Sequence, residues 1–133
     1  MTYKSGINEH KVFAVIFAGG TGSRMSGAKI PKQFLKQGGQ TIIAHTLAHF
    51  QNCKSVDAIT VVCVQDWIPF LQEEIRNHGF DKVDTIVPGG ETGQDSIFNG
   101  LEAIAKNLSP RPEDVVLVHD GVRPLINQLV IAA

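Results

Sequence analysis

Four short segments of this 133-residue sequence combine residue types that suit a phosphorylated ligand. The first, residues 19–25 (GGTGSRM), follows an apolar run. Its glycines let the backbone approach a phosphate closely, and Arg24 adds a planar fork for phosphate oxygens. The spacing does not fit a dinucleotide fingerprint, because Met25 stands where a third glycine is needed. It does not fit a P-loop either, because no Ser or Thr follows Lys29.

Two further segments could contact a nucleotide, and each has a structural alternative. Residues 31–34 (PKQF) contain Lys32, which could act as a movable point charge for a phosphate or be a solvated surface lysine. Residues 88–91 (PGGE) end a predicted strand, and their backbone together with Ser96 could contact the edge of a base. The alternative there is that Asp95 or Ser96 caps the helix that follows.

The fourth segment, residues 119–124 (HDGVRP), closes a predicted buried strand. A carboxylate at such a strand end, beside a phosphate-binding loop, suits Mg²⁺ shared with a nucleotide, which makes Asp120 the candidate ligand. His119 is adjacent to Asp120, which is poor geometry for a Ser/His/Asp relay. We therefore expect His119 to be packed or structural.

Charged residues are distributed unevenly along a chain whose net charge is −1. Residues 10–56 hold six Lys and Arg side chains and no acidic one, whereas residues 57–133 hold twelve acidic side chains and five basic ones. A local cationic segment in a nearly neutral protein favours a small anionic ligand over a nucleic-acid surface. Arg24 and Lys32 both belong to this cationic segment.

Composition excludes several classes of protein. A content of 43% hydrophobic and 19% charged residues excludes a disordered chain. The longest apolar run, Val12–Ala18, is too short for a transmembrane helix, and the polar N-terminus lacks the apolar stretch of a secretory signal. Cys53 and Cys63 fit neither a disulfide framework nor a CxxC pair. We therefore expect a cytoplasmic protein with two free thiols and no membrane partner.

The predicted secondary structure alternates between strands and helices. Apolar runs predict strands at 11–18, 56–64, 83–87 and 115–118. Helical spacing predicts helices over about 41–52 with Thr41 as N-cap, from Ile68 to near Gly79, and along a stripe formed by Ile97, Leu101, Ile104, Ala105 and Leu108. Residues 19–40 are predicted to form a long loop, a feature that is commonly functional in a compact domain.

This alternation predicts an α/β fold with a mostly parallel sheet and helices on both of its faces. The commonest order for such a sheet is third-second-first-fourth. In that order the first and fourth strands are neighbours, and ligands bind outside the carboxyl ends of the strands at this switch point. The loops that follow those two strands should therefore meet across one crevice.

Taken in order, FAGGTGSRM, PKQF, GGE…DS and VHDGVRP resemble the cytidylyltransferases related to nucleotide-diphosphate-sugar pyrophosphorylases, over residues 12–133. The resemblance implies a Rossmann-like nucleotide-diphospho-sugar transferase fold. It also implies transfer of CMP from CTP to a sugar-alcohol phosphate, with release of pyrophosphate and help from Mg²⁺. Phe34, Trp67 and the Ala-Gly-Gly of the first motif favour D-ribitol 5-phosphate as the acceptor. The Asp95-Ser96 pair favours the alternative, 2-C-methyl-D-erythritol 4-phosphate of isoprenoid biosynthesis.

The resemblance also implies residue roles. Arg24 and Lys32 would be catalytic, Asp120 would bind the metal, and Arg123 would support the site on the acceptor side. The implied nucleotide-binding residues are Ala18, Gly19, Gly20, Gly22, Gly90, Glu91 and Ser96. One position departs from the family pattern, because Gly93 stands where an Arg is usual shortly after the Gly-Gly-acid turn.

Members of this family are nearly twice as long as this sequence. The resemblance therefore implies that residues 1–133 are a single nucleotide-binding α/β domain, the N-terminal part of a longer cytidylyltransferase domain that is a homodimer at full length. We expect the 133 residues alone to bind CTP weakly, to self-associate and to be inactive in transfer. The alternative from another class is a non-catalytic nucleotide-binding fragment. We expect no nucleic-acid partner.

Overall fold

The computed structural model describes residues 10–18, 32–90 and 92–120, with the backbone but not the side chain of Asp120. Its elements in chain order are β1 (Val12–Ala18), β2 (Lys36–Gln37), β3 (Gln40–Thr41), α1 (Ile42–Gln51), β4 (Ala58–Cys63), α2 (Ile68–His78), β5 (Val83–Pro88), α3 (Gly93–Asn107) and β6 (Val115–Asp120). Short 3-10 helices span Lys32–Phe34 and Gln65–Trp67. The predicted alternation of strands and helices is confirmed.

Four strands form one parallel sheet in the order β5-β4-β1-β6. This confirms the predicted order of third, second, first and fourth strand. In the register of the sheet, Phe17 pairs with Asp120, Ala18 with Cys63, and Cys63 with Pro88. The carboxyl ends of all four strands therefore lie along one edge.

Local signals set the ends of α1 and α2. Thr41 Oγ1 accepts a hydrogen bond from the N–H of Ala44 at 3.2 Å, the N-cap contact expected from the sequence. Gly79 ends α2 with a φ of 69°, in the left-handed region that favours glycine. Both helices pack on the face of the sheet that carries Ile16 and Val61.

α3 covers the opposite face of the sheet and approaches it most closely at Gly100. A Cβ at Gly100 would lie 2.7 Å from Cγ1 of Val15 and 3.0 Å from Cγ2 of Val62, so only glycine fits without displacement. This contact turns the Gly100 side of α3 toward the sheet. Leu101 is consequently 39% exposed and Ala105 is also exposed, so the predicted stripe faces the core only in part.

The described part of the predicted long loop contains regular structure. After the 3-10 helix at Lys32–Phe34, β2 pairs with β3 in a hairpin whose turn is Gly38 and Gly39. Their φ angles of 67° and 89° suit a tight hairpin turn and are strained for any residue but glycine. The loop prediction is therefore wrong for residues 32–40, and for residues 19–31 it lies outside the described residues.

β6 lies at one end of the described sheet, next to β1. Its Val115, Val116 and Val118 side chains are 36–44% exposed. An exposed apolar strand at a sheet edge is a template for pairing with another chain, and self-association of the chain stays a prediction.

Two findings concern the class of the protein. Cys53 and Cys63 are buried free cysteines, as expected. None of the helices in the described ranges is both long and apolar enough to cross a membrane.

Candidate active site at the carboxyl edge of the sheet

The switch point of the sheet lies at the carboxyl ends of β1 and β6. From β1 the chain continues to β4 on one side, whereas β6 flanks β1 on the other side. Ala18 is fully buried at the end of β1, and the backbone of Asp120 ends β6 beside Phe17. Ala18, the residue before the glycine-rich segment, therefore lies next to the backbone of Asp120.

The turn formed by Gly89 and Gly90 is fastened to two neighbouring elements. The N–H of Gly89 donates to the carbonyl oxygen of Cys63, at the end of β4, over 2.9 Å. The N–H of Gly90 donates to the hydroxyl oxygen of Ser96, in α3, over 3.0 Å. A Cβ at Gly90 would lie 2.4 Å from the Cβ of Asp95, so this close approach requires glycine.

Thr92, and not Asp95 or Ser96, caps α3. The Thr92 hydroxyl oxygen accepts from the N–H of Asp95 at 3.0 Å, so the alternative in which Asp95 or Ser96 caps the helix is wrong. Ser96 is instead fully buried and accepts from Gly90, while its hydroxyl hydrogen can still be donated. Gly93 is the first residue of α3, and a Cβ there would meet no described atom within 4 Å.

The 3-10 helix that contains Lys32 lies beside the same edge of the sheet. Its side chain is exposed, whereas Phe34, two residues later, is buried. The ring of Phe34 stacks on that of Trp67 with centroids 5.0 Å apart. Trp67 follows β4 by four residues, so the stacking places the Lys32 segment beside the carboxyl end of β4.

Cys63 and His119 are two titratable residues near this edge. Burial raises the pKa of the Cys63 thiol to about 12, so Cys63 is a neutral, unreactive thiol at physiological pH. The ring of His119 packs against Phe50 with centroids 5.3 Å apart, which fits the expected packing role.

Most of the chain, including residues outside the described ranges, matches a known protein family. Residues 12–133 match the family described as "IspD: 2-C-methyl-D-erythritol 4-phosphate cytidylyltransferase". The chain belongs to this family. The predicted resemblance to cytidylyltransferases is thereby confirmed over the same residues.

Two relatives of this IspD-family chain are matched over only part of their own length. It is 53% identical over 119 residues to a ribitol-5-phosphate cytidylyltransferase of Streptococcus agalactiae serotype Ia, a match covering 90% of this chain and 49% of the relative. It is 48% identical over 118 residues to a 2-C-methyl-D-erythritol 4-phosphate cytidylyltransferase of Geobacter metallireducens, covering 88% and 50%. The chain spans about half the length of the relatives it matches.

A solved structure supports the same assignment. The 4-diphosphocytidyl-2C-methyl-D-erythritol synthase from Anaerococcus prevotii superposes with a TM-score of 0.71 at 26% identity, over 92% of this chain and 48% of that chain. The predicted fold class, a mostly parallel α/β sheet of the nucleotidyltransferase type, is confirmed.

The structure of this IspD-family chain brings together only part of the predicted site. The Ala18 and Asp120 backbones are neighbours at the switch point, and Gly90 is bonded to Ser96. Lys32 is attached to the β4 end of the same edge. The predicted residues that lie outside the described residues are Gly19, Gly20, Gly22, Arg24, Glu91 and Arg123.

Sequence reasoning missed two features of this edge. The first is the capping of α3 by Thr92. A Thr three residues before an Asp is a spacing typical of a helix N-terminus, so the sequence does contain a signal for this cap. The packing of Phe34 on Trp67 joins residues 33 positions apart, and no local pattern signals it.

Proposed function

We propose that the protein transfers the CMP group of CTP to D-ribitol 5-phosphate and releases pyrophosphate. The observation that carries this choice of acceptor is the identity to relatives. Four matched relatives named ribitol-5-phosphate cytidylyltransferase are 49–53% identical, whereas four named 2-C-methyl-D-erythritol 4-phosphate cytidylyltransferase are 40–48% identical. Phe34 and Trp67, which favour the ribitol enzyme in sequence, also pack on each other.

In the proposed reaction, an oxygen of the acceptor phosphate attacks the α-phosphorus of CTP. The bond from that phosphorus to the bridging oxygen breaks, and pyrophosphate leaves with the bonding electrons. Such transfers depend on positioning and on electrostatic stabilisation rather than on a nucleophilic side chain. We assign this stabilisation to the positive charges of Arg24 and Lys32. The neutral Cys63 thiol fits a mechanism without a covalent enzyme intermediate.

The nucleotide would lie along the carboxyl edge of the sheet. We assign the triphosphate to the backbone at Ala18, Gly19, Gly20 and Gly22, and the cytidine to Gly90, Glu91 and Ser96. The hydrogen bond between Gly90 and Ser96, and the absence of room for a Cβ at Gly90, support a rigid turn at the cytidine end. Arg123 would support the site on the acceptor side.

Asp120 would hold Mg²⁺ at the end of β6. Mg²⁺ is usually bound through one or two carboxylates together with substrate phosphates and water, so one carboxylate beside a phosphate-binding segment fits this donor set. The position of Asp120 next to the end of β1 supports the fit. When bound, the ion would neutralise phosphate charge.

We further propose that residues 1–133 form a nucleotide-binding domain. Acceptor binding would then depend on the part of the relatives' length that this sequence does not span, and the 133 residues alone would not transfer CMP. The full-length form would be a homodimer.

The test compares two proteins. One is the 133-residue chain, and the other is this chain fused to the C-terminal half of the Streptococcus agalactiae relative, called here the extended protein. We expect CTP with Mg²⁺ to raise the melting temperature of both, and only the extended protein to release pyrophosphate, with D-ribitol 5-phosphate. The choice of acceptor needs a second fusion, to the C-terminal half of the Geobacter metallireducens relative. Faster turnover of that fusion with 2-C-methyl-D-erythritol 4-phosphate than of the extended protein with D-ribitol 5-phosphate would favour the other acceptor. CTP binding without release would indicate a non-catalytic module, and steady turnover by the 133-residue chain would contradict the assignment of acceptor binding.

Replacing Ser96 with alanine should weaken CTP binding through the Gly90 turn. The variant leaves the N–H of Gly90 without its acceptor, at a cost of about 1–3 kcal/mol. The matched control is Thr92→Ala, which removes a hydrogen bond of the same type from the same helix end, costing about 1 kcal/mol, and does not touch the turn. We expect both variants to melt earlier, and only Ser96→Ala to lose most of the rise in melting temperature caused by CTP. Equal CTP responses would show that the turn does not hold the nucleotide.

A further inference from the structure

Three aromatic rings from two separate segments meet at the carboxyl edge of the sheet. Phe34 and Trp67 are stacked, with centroids 5.0 Å apart and planes inclined by 19°. Phe70 packs edge-on against both rings, at 5.3 Å from each. We call Phe34, Trp67 and Phe70 the aromatic cluster. It joins the segment that carries Lys32 to the segment between β4 and α2.

The Lys32 segment also packs against α1, and its Gln33 and Phe34 side chains are both buried. It is a three-residue 3-10 helix whose carbonyl at Lys32 accepts from the N–H of Leu35 over 3.1 Å. Leu35 in turn accepts from the N–H of Ile42, the first residue of α1, over 2.9 Å, while its side chain is 44% exposed. Phe34, at 3% exposure, is the residue of the 3-10 helix whose apolar side chain enters the core.

Trp67 occupies a position where its residue type needs an explanation. It is the N-cap residue of α2, a position that favours Ser, Thr, Asp or Asn because their side chains accept a backbone N–H. An indole has no acceptor oxygen, and Trp67 makes no side-chain capping bond. Its packing on Phe34 and Phe70 accounts for a tryptophan at this place.

The far side of the aromatic cluster is attached to a rigid part of the fold. The N–H of Trp67 donates to the carbonyl of Val64 over 2.9 Å, directly after β4. β4 is paired on both sides, with β1 and with β5, and its last carbonyl, at Cys63, also accepts from Gly89. Lys32 and the Gly89–Gly90 turn thus share one anchor, the carboxyl end of β4.

We propose that the aromatic cluster fixes the position of Lys32 relative to the nucleotide site, which makes Trp67 a positioning residue for CMP transfer. The proposal rests on the proposed function for the role of Lys32. In this proposal Trp67 contacts neither the nucleotide nor the acceptor, and it acts through Phe34. Small displacements of a charge from its place near the reacting atoms are costly, because the charge stabilises the transition state only where negative charge develops.

The first test measures order in the Lys32 segment without any ligand. Trp67→Leu in the 133-residue chain should raise the hydrogen-exchange rates of the Leu35 and Ile42 amides about tenfold, since the ring that stacks on Phe34 is lost. The conservative Trp67→Phe should keep both rates within about threefold. The matched control, Phe13→Leu, replaces a more deeply buried ring by leucine on the opposite face of the sheet, and should leave both rates unchanged.

The second test is a double-mutant cycle on turnover of the extended protein. Trp67→Leu should lower kcat about tenfold and leave KM for CTP within about twofold, because a misplaced charge is lost mainly from the transition state. In a Lys32→Ala background the same replacement should change kcat by less than about twofold, since Trp67 acts through Lys32.

The outcomes separate this inference from the proposed function. Exchange rates that rise equally in Trp67→Leu and Phe13→Leu would overturn it, because the effect would then be general destabilisation. The proposal would also be overturned if Trp67→Leu lowered kcat by the same factor in the Lys32→Ala background as in the unaltered extended protein. That result would show that Trp67 does not act through Lys32. If the unaltered extended protein shows no turnover, the proposed function fails, and the exchange rates alone decide whether the cluster orders the segment.

Discussion

Lys32→Ala in the extended protein is expected to lower kcat by about a hundredfold or more and to leave KM for CTP within about twofold. Removing one preorganised group that stabilises developing oxyanion charge costs a factor of this size. The positive charge of Lys32 is needed most where the α-phosphorus becomes crowded with negative oxygens, and such transition-state interactions appear in kcat. Arg24→Ala should behave in the same way. The measurement is steady-state pyrophosphate release with D-ribitol 5-phosphate.

Lys36→Ala provides the matched control for Lys32→Ala. Lys36 is also an exposed lysine of the cationic segment, but it lies in β2, beyond the buried Phe34. Its removal lowers the net charge equally and should leave kcat and KM unchanged. If Lys32→Ala raised KM for CTP and left kcat unchanged, the catalytic role would be contradicted and Lys32 would be a binding residue only.

The parts of the fold that sequence predicts well are those set by local signals. α1 begins directly after Thr41 because the hydroxyl of that residue caps it, and α2 ends where Gly79 takes a left-handed conformation. The order of the sheet follows from general rules for the handedness of parallel connections, and it places Asp120 beside β1 before any side chain is considered.

The parts that sequence predicts poorly depend on contacts between distant segments. The buried side of α3 is set by the close approach of Gly100 to Val15 and Val62, so Leu101 faces outward although its spacing fits the stripe. Phe34 and Trp67 likewise meet only because two segments converge after folding. Neither contact can be predicted from the pattern of residues that are close together in the sequence.

The candidate site divides in the same way. The placement of Gly89, Gly90 and Asp120 at strand ends is predictable, because topology fixes where strand ends lie. The role of Ser96 is not, because its hydroxyl accepts from Gly90, a residue whose position depends on the end of β4. The sequence therefore indicates which residues belong to the edge, and the structure shows which of them hold others in place.

The second large effect is expected from Asp120→Asn, which retains the shape of the side chain and removes its charge. Without that charge the site should bind Mg²⁺ poorly, and turnover of the extended protein should fall about a hundredfold or more at all practical Mg²⁺ concentrations. The alternative is that Asp120 only caps the turn before Val122. In that case the variant would melt earlier and remain active per folded molecule.

Asp114→Asn separates these two explanations, because Asp114 lies just before the opposite end of the same strand. The backbone N–H groups of Arg111 and Lys11 each donate to its carboxylate over 2.8 Å, and these bonds hold the pKa of Asp114 below its ordinary value. A lowered pKa means that this carboxylate stabilises the fold at neutral pH and stops doing so as the pH falls through that pKa. Asp114→Asn should therefore melt earlier with kcat unchanged, whereas Asp120→Asn should lose turnover with little change in melting temperature. Near-normal turnover of Asp120→Asn would remove Asp120 from the metal site.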